Sequence, residues 1–341
     1  MGEGVMVGEL RIGDRAWALS ADEDFSGLPK GVREVVEAWF DARRDVMVLR
    51  TSGSTGAPKR IEISKEAMRE SARRTAEALD LWAGTLAWWV LPPAFIGGCM
   101  MLVRAAELGW TLLYDEPTAK LVVPAGGVDF CACTPMQLLA SGGLSGVKTL
   151  LLGGSPVHGE LPLAGVTSVY MSFGMTETVS HIALKRIQPD PEAHFTCVRG
   201  VKVSANAQGC LVVEAPHLLM KPLVTRDVVE ILSDQTFRWL GRADHAINSG
   251  GVKVHPESVE LALMGTVGVG FVVTSRPHPT LGEEVVLVAD LADPMAGPSK
   301  GKEETWLRAA RAMLPKHHAP RAVVWHNLDK TETGKWIRPT L

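Results

Sequence analysis

Thr51-Ser52-Gly53-Ser54-Thr55-Gly56-Ala57-Pro58-Lys59 follows directly on a short apolar run, Val46-Met47-Val48-Leu49. Four hydroxyls, two glycines and a lysine stand within these nine residues. A strand that opens into such a loop gathers backbone N–H groups and hydroxyl donors in a small space, a suitable cradle for phosphate oxygens. Gly53 and Gly56 allow the backbone to approach a ligand closely, and Lys59 adds a mobile point charge. The stretch is not a Walker loop, which ends in Gly-Lys-Ser/Thr; here Pro58 precedes Lys59 and Arg60 follows it. On composition alone, a polar surface loop remains open as an alternative.

Further motifs follow in order. They are Ser172-Phe173-Gly174-Met175-Thr176-Glu177-Thr178, Thr225-Arg226-Asp227, Gly241-Arg242-Ala243-Asp244, the run from Ile247 through Gly250-Gly251 to Glu260, and Thr333-Gly334-Lys335-Trp336-Ile337-Arg338. Together with the opening loop they resemble the adenylate-forming enzymes: acyl-CoA synthetases, luciferases and peptide-synthetase adenylation domains. The resemblance runs from about residue 46 to the end of the chain. It implies an α/β fold with a large N-terminal domain of sheet layers and a small β subdomain (residues 1–241). A small, mobile α+β C-terminal lid (242–341) would turn about a hinge at Asp244. Most members place the phosphate loop well over a hundred residues into the chain. Here it begins at residue 51, so the fold is expected to be N-terminally shortened, and a homo-oligomer could cover a sheet face left bare.

The 341 residues suffice for two or more domains and a sizeable core. Hydrophobic residues make up 46% and charged residues 21%, and the net charge is −3, so nothing global points to disorder, nucleic acid or an anionic membrane. The five cysteines show no Cys-x-x-Cys spacing, which reads as buried free thiols in a reducing compartment. No basic start or apolar core marks the N-terminus as a signal peptide. Leu86–Val103 is uncharged and near the length of a membrane span, but Pro92-Pro93 and Gly97-Gly98 interrupt it, so a buried strand, a turn and a buried helix start fit better. A cytoplasmic enzyme without a membrane span is expected.

Helical patterning covers 34–43 and 64–81, with Ser64 as a helix cap. β-rich runs recur at 86–91, 111–114, 128–133, 149–152 and 168–172, an alternation that predicts an α/β sheet with helices on its faces. Ligands in such folds sit in loops at the carboxyl ends of the strands, where Gly153-Gly154-Ser155-Pro156 and Phe173-Gly174-Met175-Thr176 stand. From about 201 to 232 the strands are shorter and turn-rich, as in a small β subdomain. Beyond the Gly241–Asp244 segment the pattern predicts a Gly250-Gly251 hairpin, a helix from Pro256, a strand pair and a helix at 303–314.

The resemblance implies carboxylate adenylation by ATP, with Mg²⁺, followed by transfer to CoA. Two anions must approach, so cations, a metal and aligned donors are needed. By the matched positions, Thr51, Ser52, Gly53, Ser54, Thr55, Gly56 and Lys59 hold the phosphates, and Thr176 touches the α-phosphate. Glu177 ligates the metal. Gly153, Gly154, Ser155, Pro156, Phe173, Gly174, Asp227 and Arg242 hold the nucleotide, Asp227 on the ribose hydroxyls. Lys335 bridges the incoming carboxylate and the α-phosphate, and Gly250 and Gly251 face the thiol after the hinge turns. Arg226 stands where the family has glycine, and Phe95 where the broad family has histidine. The stretch from Phe95 to Ala105, the Gly174–Leu184 segment and the Gly209–Leu218 segment look like the compact o-succinylbenzoate–CoA ligases of menaquinone biosynthesis. That likeness makes Phe95, Arg104, Ser180 and His181 candidates for holding an aromatic dicarboxylate. His181 reads equally as a hydrogen-bonded core residue and Arg104 as a helix cap. Another aryl acid, loaded onto CoA or a carrier-protein thiol, and a silent nucleotide-binding homologue stay open. Retention of Lys59, Glu177, Asp227 and Lys335 argues against the silent form.

Overall fold

The computed structural model describes residues 7–50, 60–154, 160–293, 295, 297–331 and 336–341. Its centre is a thirteen-stranded sheet. Six neighbouring strands run parallel, in the spatial order Glu9–Ile12, Thr111–Tyr114, Leu86–Trp89, Val128–Cys133, Val147–Leu152 and Ser168–Gly174. Arg15–Ala18 closes one edge as an antiparallel partner. Chain order reverses around Leu86–Trp89, whose neighbours are the next two strands in sequence, so a crevice opens at the carboxyl ends there and alongside.

Three helices, Lys30–Phe40, Lys65–Leu79 and Ile96–Leu108, cover one face. Lys65–Leu79 buries Met68, Ser71, Ala72, Thr75, Ala76 and Leu79, the three- and four-residue spacing of one helix stripe. Ser64 caps it by accepting from Ala67 N at 3.5 Å, and Asp80 ends it in the left-handed region. Ile96–Leu108 is buried continuously from Gly98 to Ala105, because the other two helices lie on one side and the sheet on the other. Leu86–Val103 is thus a strand, a turn and a helix, and among the described residues no helix is long and apolar enough to cross a membrane.

The turn-rich strands after residue 201 do not form a sheet of their own. Lys202–Ala205, Cys210–Glu214, Leu223–Ser233 and Thr236–Arg242 make an antiparallel continuation of the large sheet. Phe195–Cys197 supplies the join, pairing with both His181–Gln188 and Thr236–Arg242. Phe173, Phe195 and Phe237 pack across that join, with ring centroids 5.1–5.6 Å apart. Aromatic pairs of this kind add about 0.5–1.5 kcal/mol each beyond area burial.

From Ile247 onward the chain builds a separate five-stranded sheet with its own apolar core, including Val259, Leu263, Phe271, Leu287 and Trp306. Gly250 and Gly251, at φ 59° and 81°, form the two-residue turn between Ile247–Ser249 and Val252–Val254. Two successive positive φ values are what a tight hairpin of matching twist requires. The five cysteines are free, and all but Cys197 are buried.

Candidate active site

Val46–Arg50 and Arg60–Ser64, the segments before and after the glycine loop in sequence, pair as antiparallel strands. Thr51, Ser52, Gly53, Ser54, Thr55, Gly56 and Lys59 themselves lie outside the described residues, as do Ser155, Pro156 and Lys335. Gly153, Gly154, Phe173, Gly174, Thr176 and Glu177 stand at or just past the carboxyl ends of two parallel strands, Asp227, Arg242 and Asp244 where the antiparallel strands lead into the second sheet, and Gly250 and Gly251 at a hairpin turn within that sheet.

At the end of Val147–Leu152, Gly153 N donates to Cys133 O at 3.1 Å, and Gly154 follows at φ 88°. Phe173 and Gly174 end the next strand. The Phe173 ring packs on Phe195 and Phe237. Gly174 pairs with His181, and a Cβ there would overlap the Ser180 carbonyl oxygen and His181 Cα. Both obstacles are backbone, so Gly174→Ala is expected to cost about 2–4 kcal/mol. A urea melt of that variant checks the figure; an unchanged midpoint would show that the strand end yields freely.

Thr176-Glu177-Thr178 forms a single 3-10 turn, with Glu177 exposed. The Thr178 hydroxyl accepts from Met175 N at 3.0 Å and lies 2.8 Å from Ser180 O. Val179 then takes φ 68° and ψ −49°, while Ser180 N donates to Thr178 O at 2.7 Å. This is the strained three-residue turn, rare for any residue and more so for a β-branched one. It directs Ser180 and His181 back toward the helices.

There they meet Arg104. The guanidinium is 2% exposed. Its Nη2 donates to Ser180 Oγ at 3.1 Å, its Nε to Thr75 Oγ1 at 3.3 Å, and Nη1 lies 3.9 Å from Met101 Sδ. It does not cap its helix, and among the described residues no carboxylate pairs with it. Burial lowers its pKa to about 10. His181 Nε2 is 3.3 Å from Thr75 Oγ1, and Nδ1 is 3.4 Å from Ser180 Oγ. Burial first, then the Arg104 charge, lowers the histidine to about 3, so it is neutral at working pH. Phe95 is half-buried at the start of the same helix, nine residues and about 13 Å before Arg104. The structure therefore groups Arg104, Ser180 and His181, and adds Thr75, a buried hydroxyl on an apolar stripe that carried no sequence signal.

The depressed His181 pKa gives a signed expectation. The unfolded chain takes up a proton between pH 6.5 and about 3 that the folded chain refuses. The histidine's contribution to stability is therefore complete above pH 6.5 and is lost as pH falls through that window, by an amount on the order of a few kcal/mol. Melting temperature against pH should fall less steeply in His181→Gln than in the parent; parallel curves would show that the ring is protonated when folded.

Asp227 is 6% exposed and accepts from Trp239 Nε1 at 3.0 Å. Burial raises its pKa against the pull of Trp239 and of Arg242, 3.9 Å away. Arg242 forms a two-pronged pair with Asp244, at 3.0 and 2.9 Å. Burial opposes ionisation of Asp244, but this pair outweighs it and the pKa is lowered. Glu257, on the helix Pro256–Leu263, takes His245 Nδ1 at 2.6 Å and stands 3.3 Å from Arg338. Arg338 also grips both oxygens of Glu260 at 2.8 Å, and burial still pushes Glu260 up to about 7. Sequence reading missed this network, although the Glu257…Glu260 spacing places both acids on one helix face.

Residues 6–215 match the AMP-binding enzyme family. A feruloyl-CoA synthase from an Amycolatopsis species is 27% identical over 365 positions, covering 94% of this chain and 72% of its own. A 2-succinylbenzoate–CoA ligase from Bacillus cytotoxicus is 24% identical over 353 positions, 90% of this chain and 72% of its own. Among solved structures, the acyl-CoA synthetase (AMP-forming)/AMP-acid ligase II-like protein from Dyadobacter fermentans is 32% identical, with a TM-score of 0.57 over 90% of this chain and 91% of that one. The o-succinylbenzoate–CoA synthetase of Bacillus subtilis, solved with ATP and magnesium, shares the fold at 20% identity and a TM-score of 0.68, over 84% of this chain and 68% of that one. With the family match spanning more than half its length and the fold shared, the chain belongs to the AMP-binding enzyme family, among the AMP-forming acid–CoA ligases.

Proposed function

We propose that the chain joins an acid to CoA in two half-reactions driven by ATP, and that the acid carries a second carboxylate, o-succinylbenzoate fitting best. The observation that carries the acid is the Arg104 guanidinium, buried and without a carboxylate partner among the described residues. A buried cation held only by hydroxyls is costly unless a bound anion completes it. A distal carboxylate supplies that anion, with Ser180, Thr75 and neutral His181 around it.

In the first half-reaction one carboxylate oxygen attacks the α-phosphorus of ATP and pyrophosphate leaves. The loop from Thr51 to Lys59 cradles the phosphates, Thr176 donates to the α-phosphate, and Lys335 spans the two reacting anions. Asp227, anchored by Trp239, takes the ribose hydroxyls, and Gly153, Gly154, Ser155 and Pro156 with Phe173 lie along the base. Glu177 is a single exposed carboxylate, and among the described residues no group of three ligating side chains gathers. Glu177 would be the chain's ligand to Mg²⁺, which keeps most of its ligands from phosphates and water; when bound, the ion would neutralise charge on the departing pyrophosphate.

In the second half-reaction the CoA sulfur attacks the acyl carbon, AMP leaves, and the thiol proton passes to solvent. The unit 242–341 is proposed to turn about Asp244, withdrawing Lys335 and presenting Gly250 and Gly251. Asp244→Pro is expected to retain acyl-adenylate formation while slowing transfer to CoA roughly tenfold or more. Rapid-quench analysis of AMP-ester and thioester checks this; unimpaired transfer would count against rotation at this residue.

The deciding assay is AMP and thioester formation with o-succinylbenzoate against ferulate, benzoate, salicylate and acetate. Turnover confined to o-succinylbenzoate supports the whole reading and a place in menaquinone biosynthesis. The feruloyl-CoA synthase match across 94% of the chain favours a second reading, a monocarboxylic aryl acid loaded onto CoA or a carrier thiol. In that case ferulate turns over and Arg104 faces a neutral ring substituent. ATP binding without AMP from any acid would leave a silent homologue.

A further inference from the structure

Between Thr176, on the nucleotide side, and Ser180, on the acid side, stand only Glu177, Thr178 and Val179. Stretched out, such a segment reaches about 14 Å; here two turns fold it back. Val179 N donates to Thr176 O at 3.0 Å, closing the 3-10 turn, and Ser180 N donates to Thr178 O at 2.7 Å, closing the tighter one. The first turn lies against Arg60–Ser64, the strand that follows the glycine loop in sequence. The second delivers Ser180 Oγ to Arg104 Nη2.

Left to its own preference, Val179 would not hold φ 68°. Its side chain is buried in the core beneath the helices, so the backbone is what has to be restrained. Thr178 supplies the restraint. It is fully buried, and its hydroxyl meets three backbone groups. The oxygen accepts from Met175 N at 3.0 Å, and the proton lies between Met175 O at 3.0 Å and Ser180 O at 2.8 Å. A Cβ on Gly174 would collide with the same Ser180 carbonyl, which is thus seated between a bare glycine and this hydroxyl. Among the described residues no other side chain bonds Met175 N, Met175 O or Ser180 O.

We propose that Thr178 is a positioning residue: its hydroxyl fixes the span between the Thr176–Glu177 turn and the Ser180–Arg104 pair, and so sets the length of dicarboxylate that the site activates. This rests on the ligase reading, in which one carboxylate meets the α-phosphate beside Thr176 while the distal one meets Arg104. One short segment then fixes both ends of the acid. An acid one methylene too short or too long satisfies one end and misses the other.

The test compares o-succinylbenzoate with the homologues whose oxo-acid chain is one methylene shorter and one longer, in the parent, Thr178→Val and Thr178→Ser. Valine keeps the shape and removes the hydroxyl; serine keeps the hydroxyl. The parent should favour o-succinylbenzoate over either homologue by roughly tenfold or more in kcat/KM. Thr178→Val should lose roughly tenfold on o-succinylbenzoate and far less on the homologues, so that the preference flattens. Thr178→Ser should restore both rate and preference. A lowered melting temperature with the preference intact would make Thr178 a stability residue and overturn the proposal. A serine variant no better than valine, or a parent indifferent to chain length, would overturn it too. Should Thr178→Val not fold, Thr178→Ala, which leaves room for a water at Met175 N, carries the same expectations.

Histidine NMR titration reads the segment without turnover. His181, next to Ser180, should titrate at about 3 in the parent and in Thr178→Ser. In Thr178→Val or Thr178→Ala it should move up toward the ordinary histidine value as the segment loosens. An unmoved His181 in these variants overturns the proposal whether or not an acid is activated. A His181 that moves in a chain activating no acid supports the restraint and places the failure in the ligase reading.

Discussion

Replacing Arg104 by methionine is expected to raise the melting temperature while cutting kcat/KM for o-succinylbenzoate a hundredfold or more. The two signs come from one fact, that Arg104 is 2% exposed and, among the described residues, has only Thr75, Ser180 and Met101 as side-chain partners. Keeping an unpaired charge out of water costs several kcal/mol, and an apolar side chain of similar length removes that cost. Removing one member of a buried charge pair from the bound state costs about 2–5 kcal/mol, which sets the loss in turnover. Thermal melts and steady-state kinetics on the same preparation check both halves. A variant that melts lower would make Arg104 a structural residue. One that keeps its turnover would leave the distal carboxylate unread by this side chain. Monocarboxylic aryl acids should lose far less, since they have no second anion to forfeit.

Lys335→Ala should abolish the first half-reaction and leave the second. A cation spanning two reacting anions stabilises the transition state more than the ground state, and loss of such a group costs about 10²–10³ in rate. Supplied acyl-adenylate should still pass to CoA at near the parent rate, because that step forms no bond to phosphorus. Pyrophosphate-exchange kinetics read the first step, and thioester release from synthetic adenylate reads the second. Equal loss of both would refute the division of labour between two poses of one lid.

Much of the fold was legible because the strands that carry it are buried on both faces. Phe130–Cys133 and Leu150–Leu152 are unbroken apolar stretches buried throughout, and Ser64 declares the start of its helix in the sequence. The motif residues were legible because a glycine with no room for a Cβ, such as Gly174, leaves a mark on the chain. What stayed hidden depends on distant segments meeting. Thr75 lies on an apolar stripe and looks like packing until Arg104 and His181 arrive against it. Val179 gives no sign that it will take a positive φ, because the hydrogen bonds of Thr178 and Ser180 impose it. The antiparallel strands looked like a separate subdomain because the join, Phe195–Cys197, is only three residues long.

One carboxylate serves two masters in the C-terminal part of the chain. Glu257 receives His245, beside the proposed pivot, and stands against Arg338, three residues beyond Lys335. These positions are far apart in sequence yet cannot drift independently through evolution. A lineage that loses His245 leaves a buried acid short of a hydrogen-bond partner, one that loses Arg338 leaves it short of a counter-charge, and the tolerated next step is a change at Glu257 itself. Triplet substitution patterns at 245, 257 and 338 across relatives are therefore a historical record of how pivot and tail have been kept in step.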